Sequence, residues 1–205
     1  MHAPEFNPND LTKEKKLWDI YIASRRIPFS RFNTITTALV FLLLVVNSWF
    51  TTQPVSETLD LVRDLSNTGL AISLSTLGFL LAGFTIFATV SQPSLSLRMA
   101  EILHPVSGLS YLKHNYFIFL RVFVYYLAFS IFCLLVVVFG HKGGLLPLLA
   151  SFSPYPDEVT FAIVKASYVL LFTGYYFLIM QLKSFIFNIY HSVMTSLRWK
   201  AEGYE

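Results

Sequence analysis

Glu101 and His104 form an E-x-x-H pair, and His114 follows ten residues later. Of all the side chains in the sequence, these come nearest to metal chemistry. A transition-metal site needs three or four ligands converging from facing elements, and no further ligand stands at a matching interval. The segment around "HPVSG" therefore reads as a loop at a membrane edge, not as a metal centre. Signatures of the GxxxxGK[ST], GxSxG and HExxH kinds are missing from the sequence. The single cysteine, Cys133, sits inside an apolar run, so it forms no intrachain disulfide and no cysteine-pair zinc site. Paired carboxylates within an apolar segment, which hydrolysis inside a membrane would need, are also missing. The expectation is a chain that is not an enzyme, with no catalytic residue, cofactor or metal.

Three cations remain as candidates. Arg121 lies about five residues inside a long apolar run, with Lys165 and Lys183 near the two ends of another. Cations in lipid either snorkel to the interface or mark an ion path. Insertion of the Arg121 segment is safe, because 17 Leu, Ile, Val and Phe accompany it. Each contributes about −0.3 to −0.6 kcal/mol against about +3 kcal/mol for a central Arg. Arg121 is therefore expected to snorkel inward, Lys165 outward, and Lys183 to join Arg121 and Lys113 in a boundary belt. No acidic residue lies in the apolar core of any run, which argues against a carboxylate proton relay. Any conduction path would then have a positive inner mouth that favours anions.

The elements that carry these residues follow from hydropathy. Of 205 residues, 55% are hydrophobic and only 13% charged, too few to clothe a soluble domain. The apolar residues fall into four runs, near 32–50, 68–91, 116–140 and 159–182. Each is long enough to cross a hydrocarbon core, which takes about 20 helical residues. Period-2 alternation is absent, so the fold class is all-α: a polytopic membrane protein with four transmembrane helices. Pro54 and Ser56 set a stop and a cap that would let the second helix begin near Glu57 and stand above the bilayer. Pro28 breaks the chain before the first span.

Residues 10–26, "DLTKEKKLWDIYIASRR", read as an interfacial amphipathic helix capped by Asp10, with Trp18, Tyr21 and Ile22 in the headgroup boundary. No strong breaker separates Val159 from Ala201, so the fourth helix should run about 43 residues, roughly 60 Å. It must extend into the cytoplasm or bend near Lys183. The greasy segment 141–159 carries Gly143, Gly144 and Pro147, which prevent a full span, so it should lie in the interface or fold over helix ends, with a re-entrant loop as the lesser alternative. The organisation expected is a cytoplasmic N-terminal segment 1–31, a transmembrane domain 32–182 and a cytoplasmic extension 183–205.

Two stripes stand out at the 3.5-residue spacing of a helix seam. In the second span Thr68, Ala71, Ser75, Gly78, Ala82, Thr85 and Thr89 are all small. Small residues let helices approach closely in lipid, so this stripe is a helix-packing face within the protomer, or a subunit interface or pore wall. In the fourth helix Gln181, Ser184, Asn188, His191 and Thr195 make a polar stripe that continues to Arg198 and Glu202. It reads as a water-facing side or as the lining of a vestibule.

Basic residues concentrate before the first span, in the loop between the second and third, and in the tail. Arg63 and Lys142 alone serve the other two loops, so both termini are expected in the cytoplasm of a bacterial inner membrane or its equivalent. The basic N-terminus is short and mixed with acids, which suits anionic lipid and not nucleic acid. The expected function is a homo-oligomeric channel or pore-forming protein of the bacterial effector or accessory kind. The alternative is a non-conducting scaffold that docks a partner protein through its cytoplasmic helices. Expected partners are the lipid bilayer, further copies of the chain and a cytoplasmic protein.

Overall fold

The computed structural model describes residues 7–90, 92–141 and 143–203. After a 3-10 turn at Pro8–Thr12 come α1 (Leu17–Ser24), α2 (Arg31–Phe50), α3 (Val55–Val90), α4 (Pro93–Glu101), α5 (Tyr111–Phe139), α6 (Leu145–Ser151) and α7 (Pro156–Ala201). Among the described residues there is no strand, only an isolated bridge between Leu103 and Ser110. Four helices, α2, α3, α5 and α7, are long and apolar enough to cross a membrane. Their positions match the four apolar runs. Lys142 and Ser91, which entered the charge count and the second run, lie outside the described residues.

Local chemistry explains most boundaries. Ser30 caps α2, its hydroxyl accepting from the Asn33 amide. The Pro54 carbonyl accepts from the amides of Glu57 and Thr58, so α3 starts at Val55, close to the expected position. Pro93 opens α4, where a missing amide hydrogen costs nothing. The 46 residues of α7 run unbroken through Lys183 and span about 69 Å, more than twice the roughly 30 Å of a hydrocarbon core.

The N-terminal expectation needs correction. Residues 10–26 do not form one helix capped by Asp10: the 3-10 turn is capped by Asn7, and α1 begins only at Leu17. Asp19 fixes that start, its carboxylate accepting from the Lys16 and Lys15 amides at 3.1 and 3.3 Å. Glu14, just ahead of it, is drawn to Lys113 instead of extending a helix. Leu17, Trp18 and Ile22 stay exposed, and Tyr21 packs on Trp18 with ring centroids 5.2 Å apart.

The chain divides into two compact units that cut across the long helices. The first comprises Met1–Phe29, Gly78–Val124 and Gln181–Glu205; the second comprises Ser30–Leu77 and Tyr125–Met180. This grouping differs from the three consecutive segments drawn from the sequence.

In the second unit α3, α5 and α7 make the core, with Val62, Phe129, Cys133, Val164 and Leu171 buried. Close approach is made possible by glycine. A Cβ on Gly69 would lie 2.7 Å from the Tyr175 hydroxyl and 2.9 Å from the Cys133 sulfur, and one on Gly174 would strike the Phe129 ring at 2.4 Å. Polar contacts join the same helices: the Ser73 and Ser130 hydroxyls are 2.7 Å apart, and the Tyr175 and Tyr126 hydroxyls donate to the carbonyls of Leu65 and Leu178. Helix α2 lies antiparallel along α7 and is mostly uncovered. The Asn33 amide donates to the Met180 carbonyl at one end and Lys165 to the Ser48 carbonyl at the other.

In the first unit aromatic rings do this work. Phe84 of α3 meets Tyr116, Phe119 and Phe123 of α5 edge to face, with centroids 5.5 to 6.3 Å apart. Phe185 of α7 meets Phe119 and Phe123 in the same way. Ile27, Leu109 and Phe117 form a second apolar cluster that takes in Ile20 and Ala23 of α1.

Candidate functional site

The cations turn out to share one chemistry. Arg121 is 7% exposed, so it does not snorkel. One of its terminal nitrogens donates to the carbonyls of Ser24 and Ile27 at 3.1 and 2.8 Å, just where α1 ends. Its guanidinium also stacks on the Phe29 ring, 4.6 Å from the centroid. Lys165 donates to the Ser48 carbonyl in the last turn of α2 and lies over the Phe161 ring at 4.3 Å. Arg63, which the sequence reading counted only as a loop charge, donates from Nε to the Gly140 carbonyl at 2.8 Å, directly after α5. Each of these three cations therefore sits at a helix C-terminus, where unmatched carbonyls carry the negative end of the helix dipole. For Arg121 and Lys165 this helps to explain how apolar runs accommodate a cation. Lys183 is exposed.

The positive inner mouth drawn from the sequence loses its main members. The charge of Arg121 is enclosed by backbone carbonyls and a ring. Lys113 forms an ion pair with Glu14 at 2.5 Å, the two side chains 13% and 14% exposed. Elsewhere Arg63 pairs with Asp60, Arg98 with Glu101 and Arg198 with Glu202.

The small stripe of α3 faces away from the protomer. Thr68, Ala71, Ser75, Gly78, Ala82, Thr85 and Thr89 are all exposed, which overturns the reading of this stripe as packing inside the protomer. Among the described side chains of the helix, Val62, Ser66, Gly69, Ser73, Leu80 and Phe87 are buried. They keep the same seven-residue period in a register shifted by two positions, or about 200° round the helix. The outward face has its own relief. Ile72, Phe79 and Ile86 form one exposed ridge and Leu74 and Leu81 another, with the small residues as the groove between them. A Cβ added to Gly78 would meet nothing within 4 Å. The Thr85 and Thr89 hydroxyls turn back onto the carbonyls of Leu81 and Ile86.

The polar stripe of α7 is divided. Gln181 is buried, Ser184 and Asn188 are half-buried, and only His191 and Thr195 are exposed. A 3.5-residue row drifts about 20° per seven residues on a straight 3.6-residue helix, so the row starts beside the covered face and leaves it further on. The covered face follows Phe185 and Ser196. Beyond Lys183, Ile186, Phe187, Tyr190, Met194 and Leu197 are exposed as well.

His104 and His114 do come together, their rings stacked 9° from parallel with centroids 3.8 Å apart. Gly108, at φ +67°, closes the hairpin turn between them. The His114 Nδ1 lies 2.9 Å from the Ser107 hydroxyl, and the His104 Nδ1 accepts from the Val106 amide. Glu101 turns to Arg98 instead. Among the described residues no group of three or more His, Cys, Asp or Glu is placed to hold a metal ion.

A half-open crevice of about 50 Å³ lies in the second unit, walled by α3, α5, α6 and α7. Segment 141–159 was expected at the interface or over helix ends, and the cavity beside it was not expected. Its only signal was the clash between apolar composition and the Gly and Pro breakers. No family model matches the chain, and no curated protein or solved structure resembles it to a significant degree.

Proposed function

We propose that the protein is a non-enzymatic subunit of a homo-oligomeric channel or pore in a membrane, bacterial inner membrane or equivalent, with both termini cytoplasmic. The observation that carries this reading is the outward groove of α3 between its Ile72–Phe79–Ile86 and Leu74–Leu81 ridges. A helix facing only lipid has no use for a row of small residues, whereas a second helix gains close backbone approach there. Copies arranged about such a groove would present Thr68, Ser75, Thr85 and Thr89 at the shared seam or on a narrow, weakly polar wall. His191 and Thr195 would stand where α7 leaves the bilayer. The Leu17, Trp18 and Ile22 side of α1 suits the lipid headgroup boundary.

Gly78→Leu tests the assembly. A Cβ there meets nothing within 4 Å, so folding should hold while the groove is filled. The expected outcome is a fall from a uniform oligomer to a smaller species in detergent, by light scattering or native mass spectrometry, with loss of conductance in a reconstituted bilayer. An unchanged mass would sink the reading.

The scaffold alternative draws on the exposed apolar side of α7, where Ile186, Phe187, Tyr190, Met194 and Leu197 lie beyond the length that lipid needs. That alternative predicts a monomer or dimer that retains a second polypeptide and leaks no ions.

A further inference from the structure

We propose that the crevice in the second unit is a binding site for one acyl chain of a membrane lipid, with the chain's ester carbonyl accepting from Arg63. The walls are Val62 and Arg63 of α3, Val136 of α5, Ala150 of α6, and Ile163 and Val164 of α7. Apart from Arg63, side-chain polarity there comes only from Thr160 and Ser167. Polar partners are therefore gathered at a few points, and the rest of the lining suits a hydrocarbon chain better than water. A volume of about 50 Å³ accommodates about four groups of water or methylene size, and the crevice is half open. It therefore takes the first methylenes of a chain whose remainder lies outside.

Arg63 defines the head. Its guanidinium is 17% exposed and held in place by the Gly140 carbonyl and Asp60. Two of its five N–H groups are used in this way, which leaves three donors for a ligand. The charge of that ligand follows from the surroundings. Glu57, Asp60 and Asp64 on α3, with Asp157 and Glu158 at the start of α7, are all exposed on the elements that build the walls. Those five carboxylates oppose an anionic head, so a neutral acceptor is favoured. The ester carbonyl of a diacyl lipid supplies that acceptor next to an apolar chain. The site is independent of the α3 groove and of any oligomer.

The test compares a diester phosphatidylcholine with its diether analogue, which keeps the chains and head but lacks the ester carbonyls. Protein delipidated in detergent is titrated with each, and bound lipid is counted by native mass spectrometry. The expected result is one diester lipid per protomer, held about tenfold more tightly than the diether, as suits one charge-assisted hydrogen bond. Ala150→Leu and Ser167→Leu each place extra atoms in the crevice from a different helix. A folded variant of either kind should lose the bound diester lipid. Equal retention of diester and diether by the wild type would overturn the proposal, as would full retention by either folded filled variant.

Discussion

Arg121 shows how backbone carbonyls and an aromatic ring help to settle a charge in an apolar helix. Its donors meet the carbonyls of Ser24 and Ile27 just where α1 ends; the Ser24 carbonyl also accepts from the Ile27 amide, and Arg121 adds a charged donor to each. Hydrogen bonds to a charged donor are worth about 1.5–3 kcal/mol, and a buried carbonyl stripped of its donor costs about 1–3 kcal/mol. Arg121→Met should therefore loosen the N-terminal segment locally by about 2 kcal/mol. Amide exchange over residues 17–29 should quicken by about 30-fold, while exchange in α5 itself stays slow. Unchanged protection there would mean that the apolar cluster of Ile27, Leu109 and Phe117 holds the segment by itself. The residue is legible in the sequence but its partners are not, since they lie 94 and 97 positions away. Nothing in local composition marks a carbonyl as unmatched until a helix end is placed beside the cation.

At the level of elements, α3 carries two faces with the same period and opposite fates. Its Gly69 supports the core of the second unit, whereas Gly78 faces open space. Gly69→Ala should cost about 2 kcal/mol by overpacking against Tyr175 and Cys133. Gly78→Ala should leave the protomer unharmed or stabilise it by up to about 1 kcal/mol through helix propensity. Thermal melts of the two variants in one detergent check this contrast, and equal destabilisation would refute the assignment of faces. The Ser73–Ser130 contact permits a finer measurement. A double-mutant cycle to alanine should return a coupling of about 0.6 kcal/mol, the usual size for a hydroxyl pair between membrane helices. A coupling near zero would show that the two hydroxyls are satisfied by their own helices, since Ser130 also donates to the Tyr126 carbonyl.

For the whole molecule, Cys133 makes the topology directly measurable. This lone cysteine is fully buried, so engineered cysteines can be read against a silent background. The proposed orientation, drawn from the positive-inside rule, would have the α2–α3 connection outside and both tails inside. A membrane-impermeant maleimide should label Thr52→Cys in intact cells, but Thr12→Cys and Glu202→Cys only after lysis. Labelling of Thr12→Cys in intact cells would reverse the orientation, and with it the placement of His191 and Thr195 on the cytoplasmic side.

The helical class and the positions of four helices long and apolar enough to cross a membrane were legible in the sequence. The reason is that lipid imposes local rules. A backbone without water must satisfy itself within each segment, and hydrocarbon thickness sets a minimum run of apolar residues. Pro28, Ser30, Pro54 and Pro93 add punctuation that acts on their nearest neighbours. Which side of α3 turns inward was not legible, because inside and outside are equally apolar in a bilayer and differ only in fit. Small residues occupy both registers, Ser66–Gly69–Ser73 on one side and Ala71–Ser75–Gly78 on the other. Only Tyr175, Cys133 and Ser130, brought in from distant parts of the chain, selected the first. The same holds for the crevice beside Arg63: its walls come from four helices, and its volume belongs to none of them alone.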